Sequence, residues 1–300
     1  MSRILLALGT LAFSGVILGS LLYRERDLLL HHQWQLDPQL LVSAFLVFWA
    51  GLLIATGTWA NLMRRLGSSL PYTTHIDHYC ISQLAKRLPG TLWYLAGRTY
   101  LYKQDGESLR LVTFASSIEL FITLLSGSLT SLLFAGYSLS AQTPFPLWGW
   151  VLLSAIGLLL LHPKPLHYLL QRFKIVETPR LQYWQLLGWV VLYSLIWVIG
   201  GAVLYLVSNT VTTISLSHLP YFIGSWSVVG TLSILVFFLP SNLGFTEVGL
   251  SLLLATVIPS SLAVVVAVAN RIFLLLCELI GIPCLLFLIR FWKRCEVVKS

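Results

Sequence analysis

Asp77-His-Tyr-Cys-Ile-Ser-Gln-Leu-Ala-Lys-Arg-Leu-Pro-Gly-Thr-Leu-Trp-Tyr-Leu-Ala-Gly-Arg98 places three cations and a helix break between long apolar runs. Pro89 cannot continue a helix and pushes Leu88 out of the α region, so the stretch reads as helix, break and second helix. Thr91 suits the N-cap of that second helix. Its free N–H groups and positive dipole end then point back toward Gly90, where an anion such as phosphate has Lys86, Arg87 and Arg98 around it. The competing reading is a cytoplasmic interfacial helix whose charges do no more than orient the chain.

Composition decides the class around this stretch. Of the 300 residues 57% are hydrophobic and 10% charged, and the mean hydropathy is +0.83. A soluble domain could not carry that surface, so the expected fold is all-α, a polytopic helical membrane protein forming one domain over residues 1–300. The net charge of +8 lies in short connections between apolar runs rather than on one soluble face, which argues against nucleic acid as a partner. The cysteines Cys80, Cys277, Cys284 and Cys295 show no CxxC spacing, so neither a zinc site nor a disulfide framework is indicated.

Outward from the opening stretch, Ile4–Tyr23 reads as an uncleaved first span and Leu40–Met63 as a second ending at Arg64-Arg65. The connection through Lys86, Arg87, Arg98, Lys103 and Arg110 is the most basic in the chain. The positive-inside rule makes it cytoplasmic, and the amino terminus with it. Leu109–Tyr137, Leu147–Leu161, Trp184–Val207 and Leu219–Leu239 continue the pattern, with Lys164, Arg172, Lys174 and Arg180 marking a second cytoplasmic loop. A short Val248–Ile258 and a long Ser260–Trp292 bring the expected count to eight. Both termini are then cytoplasmic, as in the inner membrane of a prokaryote.

Two features of these spans carry chemistry. In the third, Ser116, Glu119, Thr123, Ser126 and Thr130 share one face at alternating three- and four-residue steps. Glu119 lies nine residues beyond Arg110, about 13 Å along the axis, a depth at which a carboxylate needs a partner, a proton or a water-filled cavity. In the last span, Arg271 and Glu278 lie seven residues apart on one face. Glu119 and Arg271 are therefore expected to pair across helices, with a lipid phosphate able to compete for the arginine. A static ion pair that only holds helices together is the alternative.

Pro240 follows Pro89 by 151 residues in this chain of 300. Paired breaks in apolar surroundings suggest a weak two-fold repeat, about 1–165 and 180–300, parallel or inverted, with a site between the halves and the two Pro-broken segments as candidates for re-entrant ones. His75, Asp77 and His78 offer a His–x–x–His spacing without a further ligand, so no metal is assigned. Without a Walker A motif no nucleotide cofactor is assigned either.

Ile81-Ser82-Gln83-Leu84 with Lys86, Leu88-Pro89-Gly90, Trp93 and Gly97-Arg98 resembles the first motif of the lysylphosphatidylglycerol synthase transmembrane region, or flippase-like, family. Pro240-Ser241-Asn242-Leu243-Gly244 with Glu247 and Arg271 resembles the second, although Ser241 stands where family members usually have glycine. The resemblance covers essentially the whole chain and lacks the cytosolic aminoacyl-transferase domain of the full synthases. It implies a module that moves a lipid with a charged or glycosylated headgroup between leaflets. The expected substrate-binding set is Lys86, Arg87, Pro89, Gly90, Trp93, Arg98, Glu119, Pro240, Asn242, Gly244, Glu247 and Arg271, with no catalytic residue. The expected partner is an anionic lipid or a lipid-linked sugar. Two other functions are weighed beside it: a membrane-bound glycosyl- or aminoacyl-transferase, which should show an acidic metal-binding pair or a soluble domain, and an accessory subunit partnering an envelope enzyme.

Overall fold

The computed structural model describes residues 37–85, 93–135, 147–162, 182–236 and 244–299, with Gly19, Ser20, Tyr23, Arg26, Leu30, Lys164 and Tyr168. For Ala85, Trp93, Ala135, Leu147, Arg290 and residues 292–299 it describes the backbone alone. Every regular element among these residues is helical. Lys86, Arg87, Pro89, Gly90, Pro240, Asn242 and most of the expected first span lie outside the described residues.

Helix α1, Pro38–Arg65, opens with the Asp37 side chain accepting the Gln39 N–H at 2.8 Å and with proline at its first position. It closes on Arg64 and Arg65, which suit the negative end of the dipole. Gly67, at φ 100°, then turns the chain, its N–H bonding the Arg64 carbonyl. Helices α2, Tyr72–Ala85, and α3, Trp93–Gln104, follow. Gly106 at φ 78° ends α3 in the same manner and leads into α4, Leu109–Ala135. Next come α5, Leu147–Leu160, and α6, Tyr183–Asn209. A single 3₁₀ turn, Leu216–His218, precedes α7, Leu219–Leu235. The chain ends with α8, Phe245–Leu254, and α9, Ser260–Lys299, which contains Pro283.

Four of these helices, α1, α4, α6 and α9, are long and apolar enough to cross a membrane. The expected count of eight also draws on Ile4–Tyr23, on α5 and α7, of 14 and 17 residues, and on the still shorter α8. Helix α8 has ten residues, about 15 Å at 1.5 Å per residue, half of a hydrocarbon core of roughly 30 Å.

Side-chain contacts set the helix directions. Gly51 of α1 sits so close to Ile199 of α6 that an added Cβ would come within 2.9 Å of Ile199 Cγ2. Ten residues later in α1, Asn61 Oδ1 accepts the Trp189 indole N–H at 3.2 Å, ten residues earlier in α6. Helices α1 and α6 therefore run antiparallel. On α4, Glu119 meets Tyr193 and the Thr123 carbonyl meets Trp197, so α4 and α6 are parallel. Close approach relies on small residues: Gly201 faces the Ile223 backbone, while Gly127 and Gly230 flank the Trp197 ring.

Two pairs of shorter helices form antiparallel hairpins. In the first, α2 and α3 join through Ser82 with Arg98 and His75 with Tyr102. In the second, α7 and α8 join through Val229 beside Gly249 and the Tyr221 hydroxyl donating to the Leu253 carbonyl at 2.8 Å. Each connection between hairpin arms contains one of the two prolines.

Candidate functional site

Arg98, halfway along α3, has no exposed surface. Its Nη1 donates to Glu119 Oε2 at 2.5 Å, and its Nε donates to Ser82 Oγ at 3.2 Å. The other carboxylate oxygen, Oε1, accepts the Tyr193 hydroxyl at 3.0 Å. Aromatic faces enclose the cation: the guanidinium carbon lies 3.9 Å from the Trp59 ring centroid, 4.8 Å from Tyr79 and 5.6 Å from Tyr94. Such faces attract a desolvated cation, so burial costs less here than among aliphatic side chains. Arg98 Nη2 has no hydrogen-bond partner among the described residues.

A second layer lies toward the base of the hairpin. The Tyr102 hydroxyl accepts the Trp59 indole N–H at 2.9 Å and lies 2.8 Å from His75 Nδ1. Burial, with the nearby His78 and Arg64 charges adding to it, pushes the His75 imidazole down to about 4. His75 is therefore neutral at pH 7, and Nδ1 can take the proton offered by Tyr102. His78, also buried and edge-on to the Tyr102 ring, has its Nε2 2.7 Å from Asp105 Oδ2. Those contacts engage one ring nitrogen of each of the two histidines that the sequence sets at metal-ligand spacing, Nδ1 of His75 and Nε2 of His78. Among the described residues no three His, Cys, Asp or Glu side chains gather as a metal site.

The polar stripe of α4 divides by partner. Thr123, Ser126 and Thr130 each donate to a carbonyl of their own helix, and Ser116 is buried. Only Glu119 reaches across to α3 and α6.

Around the second break, Gly244 holds φ 91° and caps α8, its N–H donating to Glu247 Oε2 at 2.8 Å. Glu247 is therefore fixed in the first turn, where its charge also suits the positive end of the helix. Its Oε1 accepts Arg271 Nη1 of α9 at 2.8 Å. The two partners differ in access: the Glu247 side chain is 9% exposed and that of Arg271 29%.

Glu119 therefore pairs with Arg98, and Arg271 with Glu247, in place of the expected Glu119–Arg271 pair. Packing is the reason. Helix α4 packs on α1, α3, α5, α6 and α7, whereas α9 packs on α1, α2, α6 and α8. Of the expected site residues, Arg98 and Glu119 come together in one place and Gly244, Glu247 and Arg271 in another. Trp93 lies in the first turn of α3.

Sequence reasoning missed Trp59, Tyr79, Tyr94 and Tyr193, and quoted Ser82 only within the first motif; these residues complete the Arg98 site. The available signal was tyrosine and tryptophan inside apolar runs, a pattern that interfacial anchoring produces equally well. No protein-family model matches the chain, and no curated protein does either.

Proposed function

We propose that this chain is a lipid translocator, moving a phosphate-bearing lipid or a lipid-linked sugar between leaflets. The observation that carries the reading is Arg271, an arginine within a membrane-compatible helix whose guanidinium stays partly open beside a buried carboxylate. A charge at a helix centre costs roughly 2.5–3.5 kcal/mol on insertion scales, so one left unsealed calls for a use. Planar guanidinium N–H groups fit phosphate oxygens, and an anion arriving there competes with Glu247 for the same donors. The two proline-centred motifs and their resemblance to the flippase-like family support the same reading. So does the basic connection around Lys86 and Arg87, which draws anionic headgroups to the cytoplasmic face. Under this reading both termini are cytoplasmic, the membrane is the inner membrane of a prokaryote, and the number of crossings is even; hydropathy alone counts eight, with α7 and α8 taken as two separate crossings.

The test is exchange of fluorescent phosphate-bearing lipid between leaflets of vesicles containing the purified protein. Arg271→Lys keeps the charge and loses the planar fork, so exchange should fall several-fold while the thermal midpoint stays near that of the parent. Full exchange by a folded Arg271→Lys protein would sink the phosphate-reading role.

A further inference from the structure

The two ion pairs occupy matching places in two similar series of helices. In the first series α1, the α2–α3 hairpin and α4 follow one another; in the second α6, the α7–α8 hairpin and α9 do. Arg98 lies six residues before the end of α3 at Gln104, and Glu119 ten residues after the start of α4 at Leu109. Glu247 lies seven residues before the end of α8 at Leu254, and Arg271 eleven after the start of α9 at Ser260. The pairs agree to one residue in each helix. What differs is the sign: the short helix gives the cation in the first series and the anion in the second.

Helix packing repeats in the same way. If α1 is exchanged with α6, α2 with α7, α3 with α8 and α4 with α9, the principal packing pairs map onto one another. Packing of α4 on α7 answers that of α9 on α2, α4 on α6 answers α9 on α1, and α1 on α4 answers α6 on α9. The pair α1 and α6 maps onto itself, and those two helices run antiparallel. A two-fold relation that exchanges antiparallel helices has its axis perpendicular to them, hence in the membrane plane. The repeat is therefore inverted rather than parallel.

We infer that the α2–α3 and α7–α8 hairpins enter the membrane from opposite faces. Each is then clasped near the midplane to its following long helix by an Arg–Glu pair of reversed order. Depth supports this. Helix α8, about 15 Å long, reaches only half-way from the face where α9 begins, and Arg271 lies about 16 Å along α9 from the same face. Glu119 lies about 15 Å along α4 from the other face. The chain then crosses six times, counting the expected first span, and α7 and α8 form one re-entrant unit in place of two crossings. The orientation of every other helix is unchanged. For transport, the inference deepens the lipid-translocator reading and rests on it: the anion meets two midplane stations from opposite faces, one sealed at Arg98 and one partly open at Arg271.

Labelling tests the architecture without any lipid assay, so its failure and that of the transport reading are separable. In a background with Cys80, Cys277, Cys284 and Cys295 replaced, single cysteines are placed at Lys103, Thr246 and Thr256. They are treated with an impermeant maleimide in right-side-out and inside-out vesicles. Lys103→Cys should label from the cytoplasmic face and Thr256→Cys from the opposite face. Thr246→Cys, at the inner end of α8, should be protected from the cytoplasmic face by at least tenfold relative to Lys103→Cys. Labelling of Thr246→Cys from that face at the rate of Lys103→Cys would overturn the inference. Should the cysteine-free protein not accumulate, charge reversal in the otherwise unaltered chain decides the clasp. Glu247→Arg combined with Arg271→Glu, which copies the charge order of the first half, should recover the thermal midpoint lost in either single reversal. A double variant no better than the worse single overturns it.

Discussion

Arg98 and Glu119, 21 residues apart on α3 and α4, form an ion pair in which the arginine is fully buried and lies against three aromatic rings. The pair ties the α2–α3 hairpin to a long helix, and Tyr193 extends the tie to α6. Its energetic character follows from burial. Mutual attraction offsets a large desolvation cost, so the loss of one partner matters more than the loss of both.

Arg98→Gln or Glu119→Gln alone should therefore destabilise the protein by about 3–5 kcal/mol, because each leaves a buried charge unmatched. The double variant should recover much of that loss. A double-mutant cycle on thermal midpoints in detergent measures the coupling, and additive losses would show that the two side chains act independently.

Tyr193→Phe removes one hydrogen bond to Glu119 Oε1 and leaves the ring in place. A hydrogen bond to a charged group contributes about 1.5–3 kcal/mol, so the variant should lose stability on that order. If the hydroxyl acts through Glu119, its effect should shrink when Tyr193→Phe is made in a Glu119→Gln background. An equal loss in both backgrounds would assign the hydroxyl a role elsewhere.

His75 predicts a pH dependence. Its folded value, about 4, lies below the ordinary 6.5, so the unfolded chain takes up the proton first as pH falls. The stabilisation by neutral His75 is complete above about 6.5 and is lost progressively between about 6.5 and 4. Thermal midpoints measured from pH 7.5 to 4.5 should fall in that window, and His75→Gln should flatten the fall. An unchanged profile in the variant would remove His75 as the titrating group.

Close helix packing makes a graded prediction among glycines. Gly201→Ala drives a methyl group into the Ile223 backbone and should cost about 1–3 kcal/mol through overpacking. Gly57 and Gly188 have open space where a Cβ would sit. Alanine there should be neutral or stabilising, since alanine favours helix by about 1 kcal/mol over glycine. Equal effects at all three positions would show that helix propensity, not contact, governs the response.

Much of the helical plan was legible in the residues themselves. Apolar run length and loop charge locate α1, α4, α6 and α9, because a hydrocarbon core accepts only long apolar helices with their backbone bonds satisfied. Capping chemistry at Asp37 and the turn at Gly67 are likewise local. The depth of Glu119 already demanded a partner. Which partner it took was not local: Arg98 and Arg271 are both arginines at reasonable distance in sequence, and only the packing of α4 against α3, with α9 elsewhere, selects Arg98. The aromatic enclosure by Trp59, Tyr79 and Tyr94 has the same origin, since it draws on three helices whose faces no sequence period relates. The antiparallel course of α1 and α6 came from Gly51 with Ile199 and Asn61 with Trp189, contacts between residues more than a hundred positions apart. Hydropathy and capping act within one helix or its turn and can be read there; the pairing of charges and the direction of a repeat depend on which helices become neighbours.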